Sequence, residues 1–476
     1  MTAVEAGEAC LLYKWQFPWH IGTMSNFLDI NPSAVFQKIP CEEEWIPQDH
    51  IARFILAVVG QLDLSAFNAA YRGSGSQAYP PATLLGLLLY GYLTGVFSSR
   101  KIEAATYDSM AFRFLSGDTH PDHSSLATFR KRFQDEFKQV FHQVLLYANA
   151  MGLVRLGSVA VDGTKIQANA SKHAALSFAH IEKLEAQLKA QVVALLAEAD
   201  KADHSERFNG KVDYRAEVTR REELSARLAV AKAKIEARAA ERYAREQAEH
   251  AEKMAQRAAR EKATGKKPGG RPPKPPLPGA RPKDQINLTD EESRIMPKAG
   301  GGFVQAYNAQ AAVDTESLLV MATDLTQDTN DVGQVVPMLA QLKEAPACLG
   351  KVTLFVADTG FCSQANLNAC EAANVQAVIA TKREHHHADC LERFTEPAPL
   401  AKNATTLQKM AHYLKTGTGR AIYALRKQTV EPVFGIIKSV MGFRQFSMRG
   451  LEAARNEWCL VCLAWNLKRL AVLRLQ

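Results

Sequence analysis

The stretch "SVAVDGTKIQANA", Ser158 to Ala170, marks a change in the character of the chain. Upstream of it apolar residues recur at helical spacing; here small and β-branched residues alternate with polar ones, as in a strand. Asp162 stands at the middle or end of that alternation and precedes Gly163. Downstream, "GFVQAYNAQAAVDT" and "SLLVMATDLTQ" predict two more strands joined by a turn at Asp314 to Ser317. The helix "DVGQVVPMLAQLKEA" follows, then "KVTLFVADTG", Lys351 to Gly360, whose continuous apolar run suits a strand buried on both faces. A helix over "SQANLNACEAAN", a short strand "VQAVIA" and late helices carrying Glu431 and the Trp458 to Leu473 region come after it. This order of elements describes an α/β fold, a mixed sheet with helical cover.

Residues 1–45 show little periodicity. Residues 46–152 predict an all-helical domain. Its first helix lies in "IPQDHIARFILAVVGQLDL" with Asp49 as N-cap, and the next is opened by Pro80 and Pro81, where proline is tolerated. A single further helix spans "LATFRKRFQDEFKQVFHQVLLYANAMG". The strand region is then divided into 153–172 and 285–476 by an insertion over 173–284. In it Ile181, Leu184, Leu188, Val192 and Leu195 form one helical stripe, and a second helical run covers about 215–263. "HSERFNGKVDY" separates the two, so an antiparallel helical hairpin is expected. Lys253 to Lys283 hold ten Lys or Arg against one acid, with seven prolines. Such a composition cannot build a core and reads as a flexible basic linker, either a solvated tether or an arm attracted to DNA.

With 476 residues the chain is too long for one ordinary core. A hydrophobic content of 47% with 23% charged residues is that of a folded globular protein, and the net charge of +8 favours a polyanionic partner without requiring one. Eight cysteines are too sparse for a disulfide framework, and Cys459-x-x-Cys462 lies in an apolar helical run that makes both buried thiols. The first twenty residues lack a secretory pattern, and "ATLLGLLLYGYLTGVF", Ala82 to Phe97, is too short for a membrane span. A soluble cytoplasmic protein is expected.

Three carboxylates draw attention. Asp162 and Asp358 each precede a small residue or glycine at a strand, where open α/β sheets place their chemistry. Glu431 is followed by Val433, Phe434, Ile436 and Ile437, company that excludes an unpaired charge. Clustered carboxylates without His or Cys suit Mg²⁺ or Mn²⁺, and two such ions roughly 4 Å apart can cleave a phosphodiester. Asp290, Asp314, Asp324, Asp328 and Asp331 also lie near strand ends; turn or cap roles suit most of them, with Asp290 the strongest substitute.

Taken together, "VAVDGTKIQANAS", "NLTDEESRIM", "FVQAYNAQAAVD", "VADTGF" and "TVEPVFGIIKSVMGFRQFSMRG" resemble the DDE transposases of bacterial insertion sequences. The likeness is to the branch with a helical insertion after the first aspartate, and "DHIARFI" and "HSSLATFRKRF" resemble its N-terminal helices. The resemblance implies an RNase H-like catalytic domain with Asp162, Asp358 and Glu431 as the acidic triad on a two-metal site. It maps the family's tyrosine–arginine–glutamate–lysine signature onto Tyr423, Arg426, Glu431 and Lys438. Arg426 stands one residue farther from Glu431 than usual, whereas Lys427 stands at the usual distance, so either could take the phosphate role.

Arg130, Lys131 and Arg132 in "FRKRF" offer a DNA backbone contact or a solvated helix face, and Arg444 and Arg449 could track the same strand. Phe443 and Phe446 read as core, and His385 to His387 as a surface loop. Nucleotide-binding fingerprints are absent from the sequence. The expectation is a transposase in the bacterial cytoplasm, at the nucleoid. It binds the double-stranded ends of its element as a homodimer and performs metal-dependent cleavage and strand transfer. Its rivals are an RNase H-like nuclease without strand transfer, a catalytically dead DNA-binding relic, and a scaffold built on the hairpin. Met24 is a second candidate start, an expectation that recovery of Thr2 to Lys14 in peptide mapping would remove.

Overall fold

The computed structural model describes residues 46–71, 77–203, 213–267, 269–298, 300–382, 395–401 and 403–475. The N-terminal extension over 1–45, with Met24, the "HSERFNGKVDY" connection up to residue 212 and the triple histidine at 385–387 lie outside them.

The helical region contains α1 (Ile51–Val59), α2 (Ser65–Ala69), α3 (Pro81–Thr94), α4 (Ser99–Asp108), α5 (Met110–Ser116), α6 (His123–Arg132) and α7 (Gln134–Ala150). The cap of α1 is His50, whose Nδ1 accepts from the Ala52 N–H at 3.2 Å, and not Asp49 as expected. Helix α3 starts on Pro81 and is apolar all round, and α1, α5 and α15 all pack on it. The single helix expected from Leu126 onward breaks at Phe133, whose ring is buried against Phe67, Phe129 and Phe137-lined core. No single described helix is long and apolar enough to cross a membrane.

The sheet follows. Strand β1 (Leu156–Gln167) leads into β2 (Ala175–Ser177), then the insertion helices α8 (Phe178–Asp203) and α9 (Tyr214–Thr264). After them come β3 (Gln285–Asn287), β4 (Arg294–Pro297), β5 (Phe303–Asp314), β6 (Val320–Thr326), α10 (Val335–Glu344), β7 (Gly350–Ala357), α11 (Gln364–Ala372) and β8 (Gln376–Ile379). The chain then forms α12 (Thr406–Tyr413), α13 (Gly417–Gln428), α14 (Val430–Ser439) and α15 (Leu451–Leu473). Six strands pair in the order β4-β5-β1-β7-β8, with β6 sharing the outer edge of β5. Strands β5 and β6 run antiparallel to their neighbours and β7 and β8 parallel to β1, which gives the RNase H-like mixed sheet. Helix α15 packs on β6 and also on α3 and α7, so helical region and sheet share one continuous core. Cys459 and Cys462 are buried free thiols in it, as expected.

The insertion is the expected helical hairpin, closed by Ile181, Leu188, Leu228, Ala231 and Ile235 in a small core of its own. Strands β2 and β3 pair at its base, two elements too short to leave a period in the sequence. The basic proline-rich stretch is not the free tether its composition suggests. Its first dozen residues belong to α9, and the remainder returns along that helix. Arg242 binds Asp284 at 2.8 Å, Arg281 binds Glu246 at 2.9 Å, and Arg257 donates to the Gly270 carbonyl at 3.2 Å.

Candidate active site

Strands β1 and β7 are parallel neighbours with Val161 opposite Ala357, so the next residue of each is an aspartate, Asp162 and Asp358. On the other flank the antiparallel partner of Asp162 is Ala311 and that of Thr164 is Ala309, small side chains that leave the carboxylate room. Asp358 caps the turn after β7 and accepts from the Gly360 N–H at 2.7 Å. Asp162 Oδ1 accepts from the Gly163 N–H at 2.8 Å. Burial and the charge of Asp358 push Asp162 up to about 7, against the opposing pull of Arg426 and the Gly163 N–H.

Glu431 comes from the first turn of α14. The sequence suggested a carboxylate in apolar surroundings, and the structure corrects this. Val430, Val433, Phe434 and Ile437 form the buried face of α14, while Glu431 is on the outer side, its side chain 45% exposed. It is paired all the same. One guanidinium, that of Arg426, reaches Glu431 Oε1 at 2.7 Å and Asp162 Oδ2 at 3.2 Å. Two acids 269 residues apart in sequence are thus joined through a single side chain.

Between Arg426 and Lys427 the structure brings Arg426 to the acids and leaves Lys427 exposed. On one continuous helix Lys427 and Glu431 would share a face, whereas Arg426 and Glu431 would lie about 140° apart. The chain is not continuous there. Thr429, at φ −114° and ψ −84°, separates α13 from α14 and re-aims Glu431 toward Arg426. The Tyr423 ring lies 5.9 Å below the Arg426 guanidinium and helps hold it. Lys438, seven residues after Glu431 on α14, donates to Thr164 Oγ1 on β1. Arg444 and Arg449 are exposed and bonded to the carbonyls of Lys438 and Asn169, beside the end of β1. Phe443 and Phe446 are buried core rings, as read.

Other expectations part from the structure. Arg130 does not face solvent: it is 9% exposed and donates to Tyr92 Oη at 2.8 Å and the Phe97 carbonyl at 3.1 Å. It stands 3.9 Å from Glu457, a fully buried carboxylate that also accepts from Tyr92 Oη and the Ser447 and Met448 N–H groups. Arg130 is therefore part of the core, and only Lys131 and Arg132 of the basic run are exposed. Arg132 lies over the Tyr71 ring and donates to the Ala70 carbonyl. Asp290, the strongest substitute by sequence, is a buried brace that accepts from Tyr307 Oη at 2.9 Å and the Gly450 N–H at 3.2 Å. Asp314 holds its turn through Ser317, and Asp324 is paired with Arg455. Asp331, read as a turn residue, sits beside the site instead: its Oδ1 accepts from Asn308 Nδ2 at 2.6 Å and Gln310 Nε2 at 2.7 Å. No sequence signal separated it from the other strand-end acids.

The donors suit a hard divalent cation in kind. They are carboxylate oxygens without sulfur or imidazole, and burial together with the neighbouring Asp358 holds Asp162 near 7. Among the described residues no three acidic, His or Cys side chains stand together as a ready ligand set. Arg426 stands between Asp162 and Glu431, so joint ligation by these two requires it to withdraw.

Residues 276–467 match a family model described as "Transposase DDE domain", and residues 40–132 match one described as "Transposase domain (DUF772)". Together they span well over half of the chain. Asp358, Glu431 and the signature positions fall inside the first match, whereas Asp162 falls between the two, ahead of the hairpin insertion. No curated protein and no solved structure matches the chain.

Proposed function

Since the chain belongs to the DDE-type transposases of insertion sequences, we propose that it binds the ends of its element and cuts and rejoins DNA at Asp162, Asp358 and Glu431. The observation that supports this reading is the Arg426 guanidinium bonded at once to Asp162 and Glu431, with Asp358 on the strand beside Asp162. Acids from β1 and α14 meet on one cation, with the acid at the end of β7 next to the first, although each is ordinary in its own segment.

Asp162, Asp358 and Glu431 would hold the divalent ions, Mg²⁺ or Mn²⁺. Bound there, the ions supply Lewis acidity to the phosphodiester and activation of the attacking water or hydroxyl. Lys438, steered by Thr164, presents its ammonium to the scissile phosphate. Arg426 exchanges its carboxylates for phosphate oxygens; its buried Nε, which has no hydrogen-bond partner, is a donor in reserve. Lys131 and Arg132 contact the DNA backbone from the helical region, and two copies pair two ends.

The test is nicking of a supercoiled plasmid carrying the element's terminal repeats, with Mg²⁺ or Mn²⁺ and then with EDTA. Metal-dependent nicking that falls at least about a hundredfold in Glu431→Gln supports the assignment. A mutant that cuts as well as wild type removes Glu431 from the site. Joining of pre-cut paired ends to a target separates transposition from simple hydrolysis.

A further inference from the structure

Thr164 and Lys165 are consecutive residues of β1 and so present their side chains to opposite faces of the sheet. Thr164 meets Lys438 on one face. On the other, Asn308 is the pairing partner of Lys165 and Gln310 that of Gly163, and both amides donate to Asp331 Oδ1. A Cβ at Gly163 would fall on Asp331 Oδ1 and Gln310 Nε2, so this side is packed hard against β1. Lys165 Nζ stands 3.8 Å from that same Oδ1, beyond hydrogen-bond length, and the described residues give it no hydrogen bond. An ammonium that is 23% exposed and stands near its carboxylate without a hydrogen bond to it keeps donors for a further oxygen.

We propose that Lys165 is a second phosphate-holding lysine of the active centre, taking a DNA backbone phosphate on the sheet face opposite Asp162 and Lys438, where Asp331 and Asp358 both border Gly360. The proposal rests on the transposase reading above. Asp331 is its positioning residue: with Oδ1 committed to two amides, it keeps the ammonium nearby without saturating it. The carboxylates of Asp331, Asp162, Asp328 and Asp358 all favour the charged form of Lys165, although burial outweighs them and lowers its pKa. A compact ammonium suits a phosphate approached as a point charge.

The experiment measures the affinity of the full chain for a duplex carrying one element end, across a range of salt concentrations. Lys165→Met should make the slope of log K against log salt shallower by about 0.9, the loss of one phosphate contact, and Lys165→Arg should restore it. Amine acetylation of the wild-type protein, read by peptide mass spectrometry, gives an answer that needs no variant to fold: saturating end DNA should protect Lys165. Wild-type protein that nicks with metal, while Lys165→Met keeps the full slope or Lys165 stays open to acetylation on DNA, overturns this assignment alone. Wild-type protein that neither binds nor nicks the element ends overturns the transposase reading and Lys165 with it.

Discussion

Replacing Asp162 by asparagine should stabilise the metal-free protein while abolishing its activity. Asp162 is held at about 7 by burial and Asp358, against an ordinary value of 3.8. A carboxyl raised in this way favours the folded state at low pH and loses that contribution as pH climbs through about 7. The interval from 3.8 to about 7, at about 1.36 kcal/mol per tenfold in proton affinity, amounts to roughly 4 kcal/mol of charge strain at pH 8. Asparagine keeps the acceptor for the Gly163 N–H, and the pull of Arg426 on the charged form is already contained in the value of about 7. A gain of up to about 4 kcal/mol follows for the neutral isostere, worth several degrees in the melting midpoint at about 2–4 °C per kcal/mol. The assay is a thermal melt at pH 5.5 and pH 8, in EDTA and in excess Mg²⁺. At pH 5.5 the gap should shrink to roughly half, because folded wild-type Asp162 is then largely protonated while the unfolded carboxyl is still ionised. Mg²⁺ should stabilise the wild type at pH 8 by about 2.7 kcal/mol at a hundredfold excess over Kd, raising its midpoint, and move the mutant less. A mutant that melts below wild type in EDTA at pH 8, or equal Mg²⁺ stabilisation of both, refutes the argument.

Arg426→Lys should lose most nicking, since a single ammonium cannot reach two acids or offer a planar fork, while Lys427→Ala should leave the cleavage rate near wild type. Urea unfolding should show Arg130→Ala destabilised by about 3–5 kcal/mol, because Glu457 is left buried without its cation. Lys131→Ala should instead spare stability and make the salt slope of DNA binding shallower by about 0.9. Gly163→Ala should cost about 1–3 kcal/mol in the same unfolding assay and depress nicking, since its methyl meets Asp331 and Gln310.

How far the sequence could be read follows from what leaves a period. Strands β1, β5, β6 and β7 were legible because each is long enough to alternate or to run apolar between breakers, and the two carboxylates at β1 and β7 came with them. Strands β2, β3 and β4 have three or four residues and leave no pattern. The proline-rich stretch was misread for a related reason: composition excludes a core but is silent on pairing, and Asp284 and Glu246 hold this segment to α9. Two errors had a remedy in helical arithmetic. Leu126, Phe129, Arg130 and Phe133 fall at i, i+3, i+4 and i+7, so Arg130 lies on the apolar stripe of its helix and the core had to claim it. Val430, Val433, Phe434 and Ile437 make the same pattern, which puts Glu431 outside the apolar stripe of α14. Glu431 is tolerated because it never entered the core, and a partner from the preceding helix meets it at the surface. That meeting depends on the break at Thr429, for which no residue type in "RKQTVEP" is a signal. The same holds for Asp331, whose two amide partners lie 23 and 21 residues away and reach it only across the finished sheet. A segment's own period decides which side it buries; which polar groups meet is decided by register and chain breaks, and the site was hidden wherever those ruled.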